Sequence, residues 1–498
     1  MTRIRRAPLP AEEKGASPPL SPAPSAFRLR RHRAFVAVLT LGALLRIIAG
    51  LGYRPALWFN DSYDYVQIAL QPFPHPIRPA GYGIFLWLLR PFHSFELVVA
   101  VQHLLGLATG LLVYLLLSRR GLPPWGAALA AAPVLLDGGI IELESLILSD
   151  TLFLFLSVAA LTALLWPGGH HPVRLAAAGT LLAAATTTRT IGLPLLLLAL
   201  AWLLLRRRWG AVGLVAVTGL LPLAVYASWF HSENGRYGIT ATDGVFLWGR
   251  TAAFVRCENI PEELRYLCPA GEPGERKASS SQVWAPESPI GWRFGEAFDP
   301  RINEDAQRFA VRAVLEQPFD YAKTVAYDFF VRTFRWERDD HPTAVTARKY
   351  LFPERAEDLP VWPVLGGGAP ADVVTAYDPD MATNSGTRIV EPYAGIMRFY
   401  QGFVTVRGPV LALALLLPAY AWYRRRSAPP ALLPWAAGVA LLAVPPLTVD
   451  FDHRYALTAM PIIALAAGCA FARTRETAEG TAGPPVISLP APRRRPPF

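Results

Sequence analysis

The chain has 498 residues, of which 52% are hydrophobic and only 17% charged, and its mean hydropathy is +0.28. A soluble chain of this length carries about a quarter charged residues, so the composition excludes an ordinary soluble enzyme and predicts an all-α polytopic membrane protein. The net charge of +10 does not indicate nucleic acid as a partner, because the arginines flank apolar segments instead of forming a basic domain.

Residues 1–34 are Pro- and Arg-rich and read as a disordered basic arm on the cytoplasmic side. The first apolar run begins too late for a secretory signal peptide, so 35–51 is expected to be a retained span. Arg46 lies inside it and either snorkels to the interface or faces a polar cavity. The loop that follows, 52–96, carries Trp58-Phe59-Asn60-Asp61-Ser62-Tyr63-Asp64-Tyr65 and then His75-Pro76-Ile77-Arg78-Pro79-Ala80-Gly81-Tyr82. Its apolar piece Ile84–Leu89 is too short to cross a bilayer and fits an interfacial or re-entrant helix.

Further spans are expected at 97–117, 123–136, 150–166, 175–188, 191–205 and 210–230, completing an N-terminal membrane core over 35–230. A large polar region, 231–402, separates it from C-terminal membrane helices within 403–472, at 404–422, 430–448 and 455–472. That makes about ten spans, followed by a disordered cytoplasmic tail, 473–498. Within the polar region, 231–268 reads as irregular or short-strand. A helix opens at Asn303, with the Asn as cap and Glu304 and Asp305 in its first turn, and ends before Pro318. A second, from Phe319 to Trp336, is too charged to span and suits an interface. Residues 353–390 read as loop-rich.

Placing Arg119/Arg120, Arg174, Arg206–Arg208, Arg424–Arg426 and Arg473 beside the N-terminus satisfies the positive-inside rule. The loop 52–96, Asp137–Asp150, the region 231–402 and Asp450–Arg454 then share the extracytoplasmic face. Cys257 and Cys268 lie on that oxidising side and are expected to form a disulfide, whereas Cys469 is an apolar core residue. His170-His171 has no acid partner nearby and is not read as a metal pair.

The candidate chemical groups collect on the same face. Asp61, just beyond a span, is either a helix N-cap or a partly desolvated carboxylate fit for general-base work, with Asp64 three residues on. Arg78, held extended by Pro79, is either a headgroup contact or a bidentate phosphate clamp. Glu142 and Glu144 sit in an otherwise apolar loop and favour a site or a cation-binding role over solvated decoration. Arg189 and Arg454 either anchor helix ends or face the same centre, and Asp450 or Asp452 could pair with them.

At these residues the chain resembles the GT-C superfamily of polytopic glycosyltransferases, which includes the protein O-mannosyltransferases and the bacterial aminoarabinose transferases of lipid A. The family pattern is an acid early in the first outer loop and then a basic residue before proline. Here these are Asp61 and Arg78-Pro79-Ala80-Gly81-Tyr82. Glu144–Asp150, Thr188-Arg189-Thr190-Ile191-Gly192, His453-Arg454-Tyr455 and the helix Asn303–Tyr321 add to the match, the last resembling actinobacterial members. The first acid is followed by Ser62, where many relatives have a second acid, and the basic residue is Arg where aminoarabinose transferases have Lys.

The resemblance implies inverting transfer of a hexosyl or pentosyl group from a polyprenyl-phosphate carrier to a lipid, glycan or protein acceptor. Asp61 would orient or deprotonate the acceptor, and Arg78, with Arg189 or Arg454, would bind the donor phosphate. Asp64, Tyr65, Tyr82, Glu142, Glu144, His453 and Tyr455 would position substrate, with a divalent cation as a candidate cofactor. The rival readings are a lipid-linked-sugar transporter or flippase, which needs polar residues deep in the spans, and a diphosphate-lipid glycan ligase or polymerase.

Overall fold

A computed structural model describes residues 24–169, 171–291, 299–337, 340–381, 386–425 and 430–472. Most of the basic arm, the tail 473–498, His170, Arg426 and Arg473 lie outside the described residues.

Each apolar segment of the sequence forms a helix. Helix α1 (Pro24–Gly52) leads through strand β1 (Tyr53–Pro55) into the short helices α2 (Ser62–Leu70) and α3 (Gly81–Leu89). The bundle continues with α4 (Phe95–Arg119), α5 (Pro124–Leu136), α6 (Gly138–Ser145), α7 (Asp150–Leu165), α8 (Pro172–Thr188), α9 (Gly192–Leu205) and α10 (Trp209–Asn234).

The polar region holds α11 (Asp243–Ala252), α12 (Ser279–Trp284), α13 (Pro300–Glu316), α14 (Pro318–Ala326), α15 (Ala344–Arg348) and α16 (Pro370–Tyr377). Strand β2 (Thr387–Ile389) pairs antiparallel with β1, tying the end of this region to the loop after α1. The chain closes with α17 (Tyr393–Phe403), α18 (Gly408–Arg425), α19 (Leu432–Thr448) and α20 (His453–Phe471).

The span count differs from the expected ten. Among the described residues, four helices are long and apolar enough to cross a membrane: His32–Gly52 of α1, α4, α10 and α20. The bent pairs α5–α6, at 47°, and α17–α18, at 56°, bring the number to six if each is one span. The apolar helices α7, α9 and α19 have 16, 14 and 17 residues. At 1.5 Å per residue they reach only about 21–26 Å of the roughly 30 Å needed. The segment 123–136 is therefore not a separate straight span but the first arm of a bent pair whose second arm carries Glu142 and Glu144.

Small residues set the close packing. A side chain at Gly42 would meet the Leu135 carbonyl of α5, and one at Gly106 would overlap the Glu144 carboxylate. Helix α4 can therefore pass the acids of α6 only because position 106 lacks a Cβ.

The polar region departs from the sequence reading in two places. No strand forms among the described residues of 231–268: α11 and short 3-10 turns occur there, because Val245, Trp248, Ala252 and Val255 build a separate small core with Ile302, Ala306 and Phe309 of α13. The cap of α13 is Asp299, whose carboxylate accepts from the Arg301 amide. Asn303 is inside the helix and buried, and its Oδ1 accepts from the Val245 amide, bridging α13 to α11. A disulfide joins Cys257 to Cys268 beside this core. After α14 the helix widens into a π-helical turn over Tyr327–Arg332, and Phe319, Tyr327, Phe330 and Trp336 are exposed along this stretch.

Candidate active site

The loop after α1 is pinned from both sides. The Leu57 amide donates to the Ser145 carbonyl at 2.8 Å, and the Leu57 carbonyl accepts from Ile147 at 3.1 Å. Ser62 Oγ then accepts from the Phe59 amide at 2.9 Å, turning the chain into α2. Asp61 occupies the N-cap position of α2, yet its side chain makes no capping hydrogen bond. Its carboxylate accepts instead from Arg78 Nη2 on Oδ1 at 2.7 Å and from Arg454 Nη1 on Oδ2 at 3.1 Å. Of the two readings open for Asp61, the side chain takes the one that faces arginines.

Arg78 is oriented by its neighbours. Its Nε donates to Asp64 Oδ2 at 3.3 Å, so one guanidinium spans both acids of the loop. The backbone beneath it is held by His75, whose Nδ1 accepts from the Ile77 and Arg78 amides, each at 3.1 Å. His75 is fully buried, with Nε2 3.8 Å from Asp64 Oδ1. Burial, reinforced by the Arg78 charge, pushes its pKa down to about 3, so the ring is a neutral acceptor.

Arg454 comes from the far end of the chain, in the first turn of α20. A cation there opposes the helix dipole and needs local carboxylates. Asp61 supplies one; Asp452 supplies another, capping α20 through the Arg454 amide at 3.2 Å and accepting from the Tyr350 hydroxyl at 2.8 Å. The Arg454 guanidinium also lies 5.2 Å from the Phe59 ring and 5.5 Å from the Tyr455 ring, within cation–π range.

These charges act on one another. Burial alone would raise the Asp61 pKa, but the flanking Arg78 and Arg454 hold it below the usual carboxylate range, and Arg189 adds to the effect. At Asp64 burial prevails over the attraction of Arg78, and the charge on Asp61 adds to it, so its pKa is raised. Two acids three residues apart are thus driven in opposite directions by their surroundings.

The remaining sequence candidates divide. Arg189, at the end of α8, pairs with Asp150 in the first turn of α7 and lies 5.6 Å from the Tyr455 ring. Tyr65 shares a hydrogen bond with Ser149 Oγ at 3.1 Å beside this pair. His453 places its ring 6.1 Å from that of Tyr350.

Tyr82 is turned elsewhere. Its hydroxyl donates to Gln102 at 2.7 Å, and Gln102 donates to the Glu144 and Leu146 carbonyls. Glu144 is also turned away: it takes Arg46 Nε at 2.7 Å and Nη2 at 2.6 Å, with His103 Nδ1 at 3.0 Å. Arg46 therefore faces a polar interior contact, not the interface. Glu142, fully buried, has no hydrogen-bond partner on either carboxylate oxygen.

His75, Phe59, Lys349 and Tyr350 carry parts of this site that sequence reasoning passed over. Only His75, three residues before a proline-bracketed arginine, had a legible signal; Lys349 and Tyr350 sit in a stretch without a motif. Among the described residues, no group of three or more His, Cys, Asp or Glu side chains is placed to hold a metal ion. Asp61, Asp64 and Glu144 are committed to arginines, whereas Glu142 is not.

Solved structures give partial, low-scoring matches to the chain. Against the Saccharomyces cerevisiae protein O-mannosyltransferase Pmt1–Pmt2 complex bound to the sugar donor, the TM-score is 0.32 at 16% identity, covering 47% of this chain and 38% of that one. Against the Archaeoglobus fulgidus oligosaccharyltransferase AglB in complex with an inhibitory peptide and a dolichol-phosphate, it is 0.39 at 16% identity, covering 89% and 50%. The same archaeal enzyme tethered to an acceptor peptide gives 0.40 at 15% identity, covering 89% and 50%. The chain thus spans half of the oligosaccharyltransferase chain or less of the mannosyltransferase chain. No family model and no curated protein matches it.

Proposed function

We propose that the protein is a membrane glycosyltransferase of GT-C type, moving a hexosyl or pentosyl group from a polyprenyl-phosphate carrier to a lipid, glycan or protein acceptor. The observation that carries this reading is the placement of Asp61 between Arg78 and Arg454, from two ends of the chain. Two partly buried guanidinium groups are a preorganised phosphate clamp. A carboxylate held between them marks the place where an anionic group competes for the same donors.

In this reading the donor phosphate takes hydrogen bonds from Arg78 and Arg454 that Asp61 holds in its absence. Losing them raises the basicity of Asp61, which the arginines otherwise depress. Asp61 then accepts the acceptor hydroxyl proton as the new bond to the anomeric carbon forms. The bond from that carbon to the phosphate oxygen breaks on the opposite face, giving inversion. The two arginines stabilise the phosphate as charge develops, while Asp64 and His75 keep Arg78 in place. Arg189, Tyr65, His453 and Tyr455 line the approach from α8, α2 and α20. By the positive-inside rule, the site faces the extracytoplasmic side, with both termini cytoplasmic.

The test is transfer of a radiolabelled sugar from polyprenyl-phosphate donors in membranes carrying Asp61→Asn or Arg78→Ala. Both variants are expected to lose transfer while inserting normally. Full activity of Asp61→Asn overturns the assignment; loss at Arg78 alone transfers support to the diphosphate-linked ligase.

A further inference from the structure

Beside the clamp lies a cavity of about 250 Å³ that none of the chemistry above uses. Phe59 belongs to both: Arg454 of the clamp sits 5.2 Å from its ring centre, and Lys349 of the cavity lining 5.8 Å. The loop after α1, α6 and the segment 348–362 enclose the cavity, and Glu142 and Trp362 are among its lining residues. It is smaller than the roughly 300–1,000 Å³ that takes a drug-sized ligand, so it suits one small ring.

Its walls have a definite character. Trp58 and Tyr63 stack with ring centres 5.7 Å apart and planes within 5°, and Trp362 meets Tyr63 edge-on at 6.3 Å. The Trp58 indole N–H is already spent on the Gly386 carbonyl at 2.6 Å. What the aromatics offer is therefore apolar ring surface. Glu142 lines the same space with both oxygens buried and unpartnered. Burying polar oxygens that way costs free energy unless something hydrogen-bonds to them. The ionisable lining is of mixed sign, with Arg348, Lys349 and Arg355 beside Glu357 and Asp358, so it is not built for a polyanion.

We infer that this cavity is a carbohydrate subsite: it takes one pyranose ring, packed on the Trp58–Tyr63–Trp362 wall, with two ring hydroxyls hydrogen-bonded to Glu142. Sugar hydroxyls both donate and accept, so they can satisfy both oxygens of the Glu142 carboxyl, and a sugar ring also presents the apolar C–H face that stacked aromatics accept. The inference rests on the transferase reading for its place in catalysis, since the ring is either the donor's sugar or part of a glycan acceptor.

The test is saturation-transfer NMR on the full chain in lipid nanodiscs, with the methyl pyranosides of mannose, glucose, galactose and arabinose as probes and glycerol as control. At least one pyranoside is expected to receive saturation on its ring protons. Glu142→Gln and Trp362→Ala are each expected to weaken its binding about tenfold, the size of losing one good hydrogen bond or one ring contact. No pyranoside binding above glycerol, or binding unchanged in both variants, overturns the subsite. Displacement of the probe by a short-chain prenyl-phosphate derivative of the same sugar assigns the ring to the donor; retention assigns it to the acceptor. The subsite stands in either case. Because this readout is binding and the Asp61→Asn readout is turnover, failure of one is distinguishable from failure of the other.

Discussion

Asp61 and Arg454 meet at 3.1 Å across a sequence separation of 393 residues. The contact joins the loop after the first membrane helix to the start of the last one, so the clamp exists only when both ends of the bundle are assembled. Phe59, two residues before Asp61, packs under the same guanidinium at 5.2 Å. The arginine is thus fixed by a charge on one side and a ring on the other.

Replacing Arg454 with Lys tests that fixation. Lysine keeps the charge but cannot serve Asp61, Asp452 and the Phe59 face from one planar group. Transfer by Arg454→Lys is expected to fall roughly 100- to 1,000-fold, the usual cost of one preorganised donor at a developing anion. The loss should appear in kcat, with the protein still inserted. A variant that keeps more than half of the wild-type kcat separates Arg454 from the clamp.

Arg46 and Glu144 form a second buried pair, each side chain 2% exposed, braced by His103. Removing one partner leaves a buried charge, which typically costs about 3–5 kcal/mol, whereas replacing both with apolar residues is often neutral. Arg46→Leu and Glu144→Leu should each lower the melting temperature sharply in detergent, and the double variant should recover most of it. Equal melting of singles and double would remove the pair from the stability of the bundle.

The helices were legible in the sequence because apolar runs bounded by arginine clusters leave few alternatives in a bilayer. Their lengths as spans were not, since the bend between Leu136 and Gly138 depends on how Asp137 caps α6 through Gly139 and Ile140. Asp61 and Arg78 could be picked out because they share one loop, and proline brackets the arginine. Their engagement with Arg454 could be expected only as one of several pairings. Glu142 and Glu144 looked equivalent two residues apart, yet helical geometry points one at Arg46 and leaves the other at a cavity wall. Lys349 and Tyr350 had no signal at all, because long-range packing alone carries them to Asn60 and Asp452.

The disulfide between Cys257 and Cys268 closes a loop with a sequence separation of 11, beside the small core of α11 and α13. Chain-entropy reasoning gives about 2–3 kcal/mol for a loop of that size. Cys257→Ser with Cys268→Ser should therefore lower the temperature at which the polar region becomes protease-sensitive, and transfer should survive at temperatures below that transition. Protease sensitivity unchanged from wild type would show that the core holds without the bond.

His75 ties stability to pH. Its folded pKa of about 3 lies below the ordinary value of 6.5, so between those values the unfolded chain binds a proton that the folded chain refuses. The neutral ring is required because Nδ1 must accept from Ile77 and Arg78. Stability from this group is fully present above about pH 6.5 and declines as pH falls toward 3, by on the order of 4 kcal/mol over the whole window. Asp61 adds loss of the same sign only lower, as pH falls through its own depressed pKa, below the ordinary carboxylate range. Melting temperatures measured from pH 7 to 4.5 therefore isolate the histidine from Asp61. His75→Gln, which keeps a neutral acceptor that does not titrate, should flatten the curve over that interval. A variant that melts with the wild-type pH slope would assign the acid sensitivity to other groups.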